Sequence, residues 1–396
     1  MKLLSNQVEG YIHRSSWIRK MFETGMELKK KYGEDAVCDF SLGNPDVPAP
    51  AAVGKGLREL ADTADEPFAF GYMPNFGYPA VREKLAETVS AEQGVKVAGT
   101  DLVITCGAAG GINALYRAIL EPGEEVLCPA PYFVEYGFYA QNSDGELVTV
   151  PSKPLTFELD LEAIEAAITE KTRVVLINSP NNPTGAVYTK KELEGLAAIL
   201  NKANEKRERP IFLVADEPYR FLAFDDVDVP SVLPLYPYSI VISSFSKNLS
   251  LAGERIGYVL LNPDMPGKEQ LLTGLVLTNR ILGFVNAPAV GQKLLEKALG
   301  SQVDKNIYLE RRNVMDSVLK EAGYSYTMPK GAFYFFPEAP GGDDVKFCAA
   351  LQEEKILAVP GTGFGCPGYF RLAFCVGTEV IERSREGFKK AIEAFK

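Results

Sequence analysis

YSIVISSFSKNLSLAGERIGYVLL, residues 238–261, holds two apolar, β-branched runs separated by a polar connection. The first run reads as a strand that delivers Ser244, Ser246 and Lys247 to its carboxyl end, and Arg255 stands immediately before the second. A surface lysine needs no such setting. One that is to react has to be held at a fixed point, kept partly neutral and placed beside something anionic. A bare SxSK is nevertheless a weak signal, so the rest of the chain has to decide.

Outward from this stretch the same rhythm continues. DLVITC, EEVLCP, TRVVLIN and PIFLVAD precede it, separated by helical patterns such as KKELEGLAAILNKANE. Strands alternating with helices predict an α/β fold with a mainly parallel sheet covered on both faces. The last third differs. A helical pattern over 291–321 is followed by the strand signals YSYTM, GAFYFFPE, ILAVP and YFRLAFC and a closing helix over 378–395. We therefore expect a large domain over 49–290, a smaller α+β domain over 291–396, and an N-terminal arm, 1–48, packing with the small domain.

In an open parallel sheet, ligands bind beyond the carboxyl ends of the strands. Four junctions qualify. DLVITC leads into GAAGGINALYRAIL, where Gly107, Ala108 and Ala109 open a helix whose free amides suit a phosphate, although a plain tight turn fits that segment alone equally well. TRVVLIN leads into SPNNPTG with Asn182, and PIFLVA into Asp216 and Tyr219, where a helix cap is the competing reading. Lys247 and its serines are the fourth.

Bulk properties narrow the chemistry. A net charge of −10 over 396 residues argues against nucleic-acid binding, and no apolar run is long enough for a bilayer. The N-terminus lacks a secretory signal, so a cytoplasmic protein is expected. Six scattered cysteines without a CxxC pair suggest neither a disulfide framework nor a metal site, and a single histidine, His13, removes most hydrolase mechanisms with an imidazole base. GFGCPG at 363–368 satisfies a dinucleotide pattern but leads into a strand, and Tyr326 and Lys330 have dehydrogenase spacing broken by Pro329.

The ordered set SLGNPD (41–46), YMPNFGYPAVREKLA (72–86), TCGAAGGINAL (105–115), PAPYF (129–133), NSPNNPTG (178–185), DEPY (216–219), SFSKNLSLAGERIGY (244–258), KGAFYFFP (330–337) and VPGTGFGCPGYFRLAF (359–374) resembles the class I/II aminotransferases of pyridoxal-phosphate fold type I. The resemblance covers about residues 40 to 376. It implies a mostly parallel seven-stranded sheet sandwiched by helices, pyridoxal 5′-phosphate as cofactor, and interconversion of an α-amino acid and a 2-oxo acid, with aspartate- or glutamate-type substrates one option.

Residue by residue, the resemblance implies that Lys247 holds the cofactor covalently and then moves the Cα proton. Asp216 would pair with the ring nitrogen, Asn182 and Tyr219 with the ring oxygen, and Tyr132 would stack on the ring. Ser244, Ser246, Arg255 and the amides of Gly107, Ala108 and Ala109 would hold the phosphate. Arg371 would clamp the substrate carboxylate, with Gly43 and Asn182 beside it. Tyr72 would reach the phosphate of a second subunit in a homodimer. Roles for Arg280, Arg19 and Trp17 in substrate contact stay open. Two alternatives remain on the same fold: a β-lyase, and a non-catalytic cofactor-binding regulator.

Overall fold

The computed structural model describes residues 3–13 and 17–395. Its centre is a seven-stranded sheet of β1 (Leu102–Cys106), β2 (Glu125–Ala130), β3 (Glu146–Pro151), β4 (Thr172–Asn178), β5 (Phe212–Asp216), β6 (Ser239–Ser244) and β7 (Ile256–Leu261). Their spatial order is β1-β7-β6-β5-β4-β2-β3. Every pairing is parallel except those of β7, which runs antiparallel to β1 and β6.

Alternation along the strands sorts side chains to two faces. Val175, Ile177, Leu213, Ala215, Val241 and Leu260 face one core, which the helices Pro79–Gln93 and Lys190–Asn204 close. Val174, Leu176, Val214, Ile240, Ile242 and Val259 face the other, closed by the helices Gly107–Ile119, Glu135–Gln141 and Lys268–Ile281. Burial on both faces explains why these strands are continuous apolar runs. Thr189 and Glu192 form a capping box that starts Lys190–Asn204, a device worth about 1 kcal/mol.

The edge strand β3 is absent from the sequence reading. Its residues alternate between exposed and half-buried, with only Val150 buried, so its apolar signal is diluted.

Register gathers the chemistry. Asn178 at the end of β4 pairs with Asp216 at the end of β5, and Asp216 pairs with Ile242 of β6. Because β7 is reversed, its start lies at the same edge: Gly257 pairs with Ser244, and Ile256 with Cys106. One rim therefore carries the residues that follow β1, β4, β5 and β6 and the one that precedes β7.

The second core joins the helices Lys305–Ala322, Asp344–Glu353, Thr378–Arg383 and Arg385–Glu393 to an antiparallel sheet of Val359–Pro360, Phe370–Ala373 and Tyr334–Phe335. Cys38, Phe40 and Val47 of the N-terminal arm are buried in it. The helix Ala289–Ala298 instead gives Leu295 and Ala298 to the core of the large sheet. The pattern over 291–321 is accordingly two helices, YSYTM is loop, and the closing helix breaks at Ser384. Among the described residues no helix is long and apolar enough to cross a membrane.

Candidate active site

A cavity of about 300 Å³ opens at this rim, and Gly43, Asn182, Asp216, Tyr219, Lys247 and Arg371 all line it. Lys247 follows β6 and donates from Nζ to the Gly43 carbonyl at 2.6 Å. Burial brings its pKa down to about 8; Cys375 opposes this, and the positive charges of Arg371 and Arg255 add to it. A sizeable fraction of this amine is thus neutral near neutral pH, which is what a nucleophilic lysine requires.

Asp216 ends β5 in full burial. Its Oδ2 accepts from the Tyr136 hydroxyl at 2.5 Å, while Oδ1 is buried without a partner. Burial raises its pKa to about 7, against the lowering effect of the Tyr136 bond. An unpaired buried carboxylate oxygen is costly, and a protonated ring nitrogen is a donor that would satisfy it.

Asn178 ties the strand ends together. Its Nδ2 donates to the Asp216 carbonyl at 2.7 Å and its Oδ1 accepts from the Asn182 amide at 2.7 Å. Asn182 Oδ1 in turn accepts from Nη1 of Arg371 at 3.0 Å. Arg371, 2% exposed, also donates through Nη2 to the Ser41 carbonyl at 2.6 Å, and its Nε has no partner. The guanidinium lies 4.8 Å from the ring centres of both Tyr334 and Phe364. Tyr219 and Tyr334 share a hydroxyl–hydroxyl hydrogen bond of 2.7 Å.

At the other end, Ala108 and Ala109 line the wall with Ser244, Ser246 and Arg255. Gly107 has φ +68, and a Cβ there would stand 3.0 Å from Arg255 Nη2. Gly257 lets the turn settle on β7: a Cβ would lie 2.6 Å from the Gly107 carbonyl carbon and 2.8 Å from the Ala108 nitrogen. The result is a helix N-terminus, two hydroxyls and a guanidinium around one space, a set suited to a phosphate.

One expected residue lies elsewhere. Tyr132 is not part of the cavity wall: its amide donates to the Phe364 carbonyl at 3.1 Å, and the neighbouring Phe133 lines the cavity instead. Adjacent residues in an extended turn point to opposite sides, so the sequence left a one-residue ambiguity. Tyr72, expected to serve a second subunit, is 99% exposed on its own chain. Arg280 is exposed on the helix Lys268–Ile281 and does not line the cavity. The side chains of Trp17 and Arg19 lie outside the described residues. Residues the sequence reading passed over are Phe133, Tyr136, Tyr139, Asn178 and Tyr334. The i, i+3 spacing of Phe133, Tyr136 and Tyr139 was the available signal for three of them.

A flat ring with a protonated nitrogen at Asp216, a phosphate at Arg255 and an aldehyde carbon at Lys247 fits this wall. A profile described as "Aminotransferase class I and II" matches residues 35–386. The chain belongs to the class I and II aminotransferase family. It is 32% identical to a probable aspartate/prephenate aminotransferase of Aquifex aeolicus, over 93% of each chain. An amino transferase structure from Eubacterium rectale superposes with a TM-score of 0.95 at 37% identity, covering 100% of both chains. An aspartate aminotransferase structure from Thermus thermophilus with maleate gives 0.88 at 27%, covering 99% of this chain and 100% of the other. The chain is accordingly a pyridoxal-phosphate-dependent aminotransferase of fold type I, acting between amino acids and 2-oxo acids.

Proposed function

We propose that this aminotransferase takes an aspartate-type amino acid as donor and 2-oxoglutarate as acceptor, with the residue roles given below. The observation that carries the amino-acid reading is Arg371: a fully enclosed guanidinium with an unpartnered Nε on the same cavity as the Lys247 amine. The names of the Aquifex and Thermus relatives support the aspartate-type donor.

Pyridoxal phosphate, when bound, supplies an aldehyde carbon for amine exchange and a ring that takes up the electrons released as the substrate Cα–H bond breaks. Lys247 would hold that carbon, and its amine, when free, would take the proton from the substrate Cα and return it. Arg371 binds the α-carboxylate with the donors that Asn182 and Ser41 leave free, which fixes Cα before Lys247. Asp216 would hold the ring nitrogen protonated through Oδ1. Asn182 and Tyr219 would donate toward the ring oxygen, and Phe133 would pack on the ring. Ser244, Ser246, Arg255 and the amides of Ala108 and Ala109 hold the phosphate, and the enclosing wall excludes water.

A homodimer belongs to the same proposal. Tyr72 is wholly exposed, and Phe68, Leu277 and Ile281 are large apolar residues exposed at 91%, 46% and 62%. A second copy would cover such side chains and receive Tyr72 at its phosphate. A fully active monomer by sedimentation would refute this. Cytoplasmic residence is supported by six cysteines that are all free thiols, and fractionation of the source cells tests it.

The substrate proposal is tested with purified holoenzyme, a panel of amino acids and 2-oxoglutarate. Aspartate is expected to give the highest kcat/KM. A neutral or aromatic donor outperforming aspartate would overturn the acidic assignment while leaving the transaminase chemistry intact.

A further inference from the structure

In the wall of the cofactor cavity and behind it lies a group of buried polar side chains that the reaction above does not use. Tyr136, from the helix Glu135–Gln141, is 1% exposed and donates to Oδ2 of Asp216 at 2.5 Å. Tyr116, from the helix Gly107–Ile119, is completely buried and its hydroxyl has no partner. Cys128 of β2 is buried beside them, its thiol donating weakly to the Pro129 carbonyl at 3.6 Å. The charged and titratable groups that act on Asp216 or respond to it are Tyr136 and Tyr139 on one helix, Tyr116 on another, Cys128 on β2, and Glu217 next along its own chain.

Within this group one hydrogen bond stands out. Among the described residues Tyr136 is the only side-chain hydrogen-bond donor to the Asp216 carboxylate, and it holds Oδ2 while Oδ1 has no partner on a residue that lines the cavity. Burial disfavours the charged carboxylate, and a hydrogen bond received by it favours the charge. Glu217 works the other way, raising the Asp216 pKa, and its Oε2 is held by Gln93 and Arg220 at 2.8 and 3.0 Å.

We propose that Tyr136 is a positioning residue for cofactor capture: by donating to Oδ2 it holds Asp216 ionised and keeps Oδ1 turned toward the place of the ring nitrogen. The inference rests on the proposed pairing of Asp216 with that nitrogen. In this role Tyr136 acts through Asp216. Capture of a protonated ring requires the carboxylate, so apoprotein with a neutral Asp216 must first lose a proton. Without Tyr136 that loss is harder. The handicap is full at low pH and fades once the pH exceeds the carboxyl's raised pKa, where both proteins are already ionised.

The test measures pyridoxal-phosphate affinity of apoprotein from pH 6.5 to 9, as the ratio of variant to wild-type Kd, in which titration of Lys247 and of the cofactor itself cancels. Tyr136→Phe is expected to weaken binding about tenfold at pH 6.5, the worth of one hydrogen bond to a charged acceptor, with the ratio falling toward about two by pH 9. Tyr136→His, which keeps a ring donor, is expected to recover most of the loss and covers the case in which the phenylalanine variant folds poorly. Tyr116→Phe, which removes a hydroxyl without a partner, is expected to bind within about twofold of wild type.

A ratio near one throughout, a loss that does not change with pH, no recovery by histidine, or an equal loss in Tyr116→Phe would overturn the proposal. Asp216→Asn separates the two layers. If it binds as tightly as wild type, the pairing of Asp216 with the ring nitrogen fails. If it binds weakly while Tyr136→Phe matches wild type, only the role of Tyr136 fails.

Discussion

Replacing Arg371 with lysine keeps the charge and removes the fork. In the protein Nη1 and Nη2 are held by Asn182 Oδ1 at 3.0 Å and the Ser41 carbonyl at 2.6 Å, and the plane sits between Tyr334 and Phe364. A lysine ammonium presents its donors from one point and cannot span both anchors and a carboxylate. Losing one of two charge-assisted bonds to the substrate costs about 1.5–3 kcal/mol, or roughly 10- to 150-fold in kcat/KM. One anchor is also left unpaired in a site only 2% exposed, which costs about 1–3 kcal/mol of stability.

The assay is the amino-acid half-reaction followed by cofactor absorbance in single turnover, run with aspartate and with a primary amine that lacks a carboxylate. Arg371→Lys is expected to lose rate only with the carboxylate-bearing donor, and to retain its cofactor. A loss below about threefold with aspartate, or equal losses with both donors, would refute the assignment of Arg371 to the α-carboxylate.

Two further outcomes follow from the other end of the cavity. Arg255→Ala removes a guanidinium from the phosphate cup and is expected to raise the cofactor Kd by roughly 10- to 100-fold, with kcat at saturating cofactor little changed; unaltered retention on dialysis would place the phosphate elsewhere. The neutral Lys247 amine is the reactive form, so covalent capture by apoprotein should accelerate with rising pH and level off above about 8. An ordinary lysine would still be gaining near pH 10, and stopped-flow absorbance showing that behaviour would contradict the buried, depressed amine.

The rim of the sheet was legible because strand ends are written into the chain as apolar runs closed by polar residues. Asn182, Asp216, Ser244 and Lys247 each follow such a run, and in the structure each lines the same cavity. Arg371 was named through the family resemblance alone, and in the structure it is a buried cation inside the apolar strand Phe370–Ala373.

Side-chain direction in irregular segments was less accessible. The pair Tyr132–Phe133 offers two aromatics, and only the path of the turn decides that Phe133 enters the cavity. Tyr334 lies among four consecutive aromatics, Phe333 to Phe336, all buried. Its pairing with Tyr219, 115 residues away, is a long-range contact that no local pattern encodes. The same holds for Tyr136, whose partner Asp216 is 80 residues away. The break at Leu299–Asp304 was hidden because the two helices keep an apolar rhythm across it while burying their faces in different cores.

The central claim is that Lys247 is the amine that holds the cofactor, and borohydride reduction of the holoenzyme followed by peptide mass mapping tests it directly. The account predicts a single labelled peptide containing Lys247, and in Lys247→Ala a protein that binds pyridoxal phosphate without labelling and without turnover. Label on a different lysine, or labelling and turnover that persist in Lys247→Ala, would contradict it.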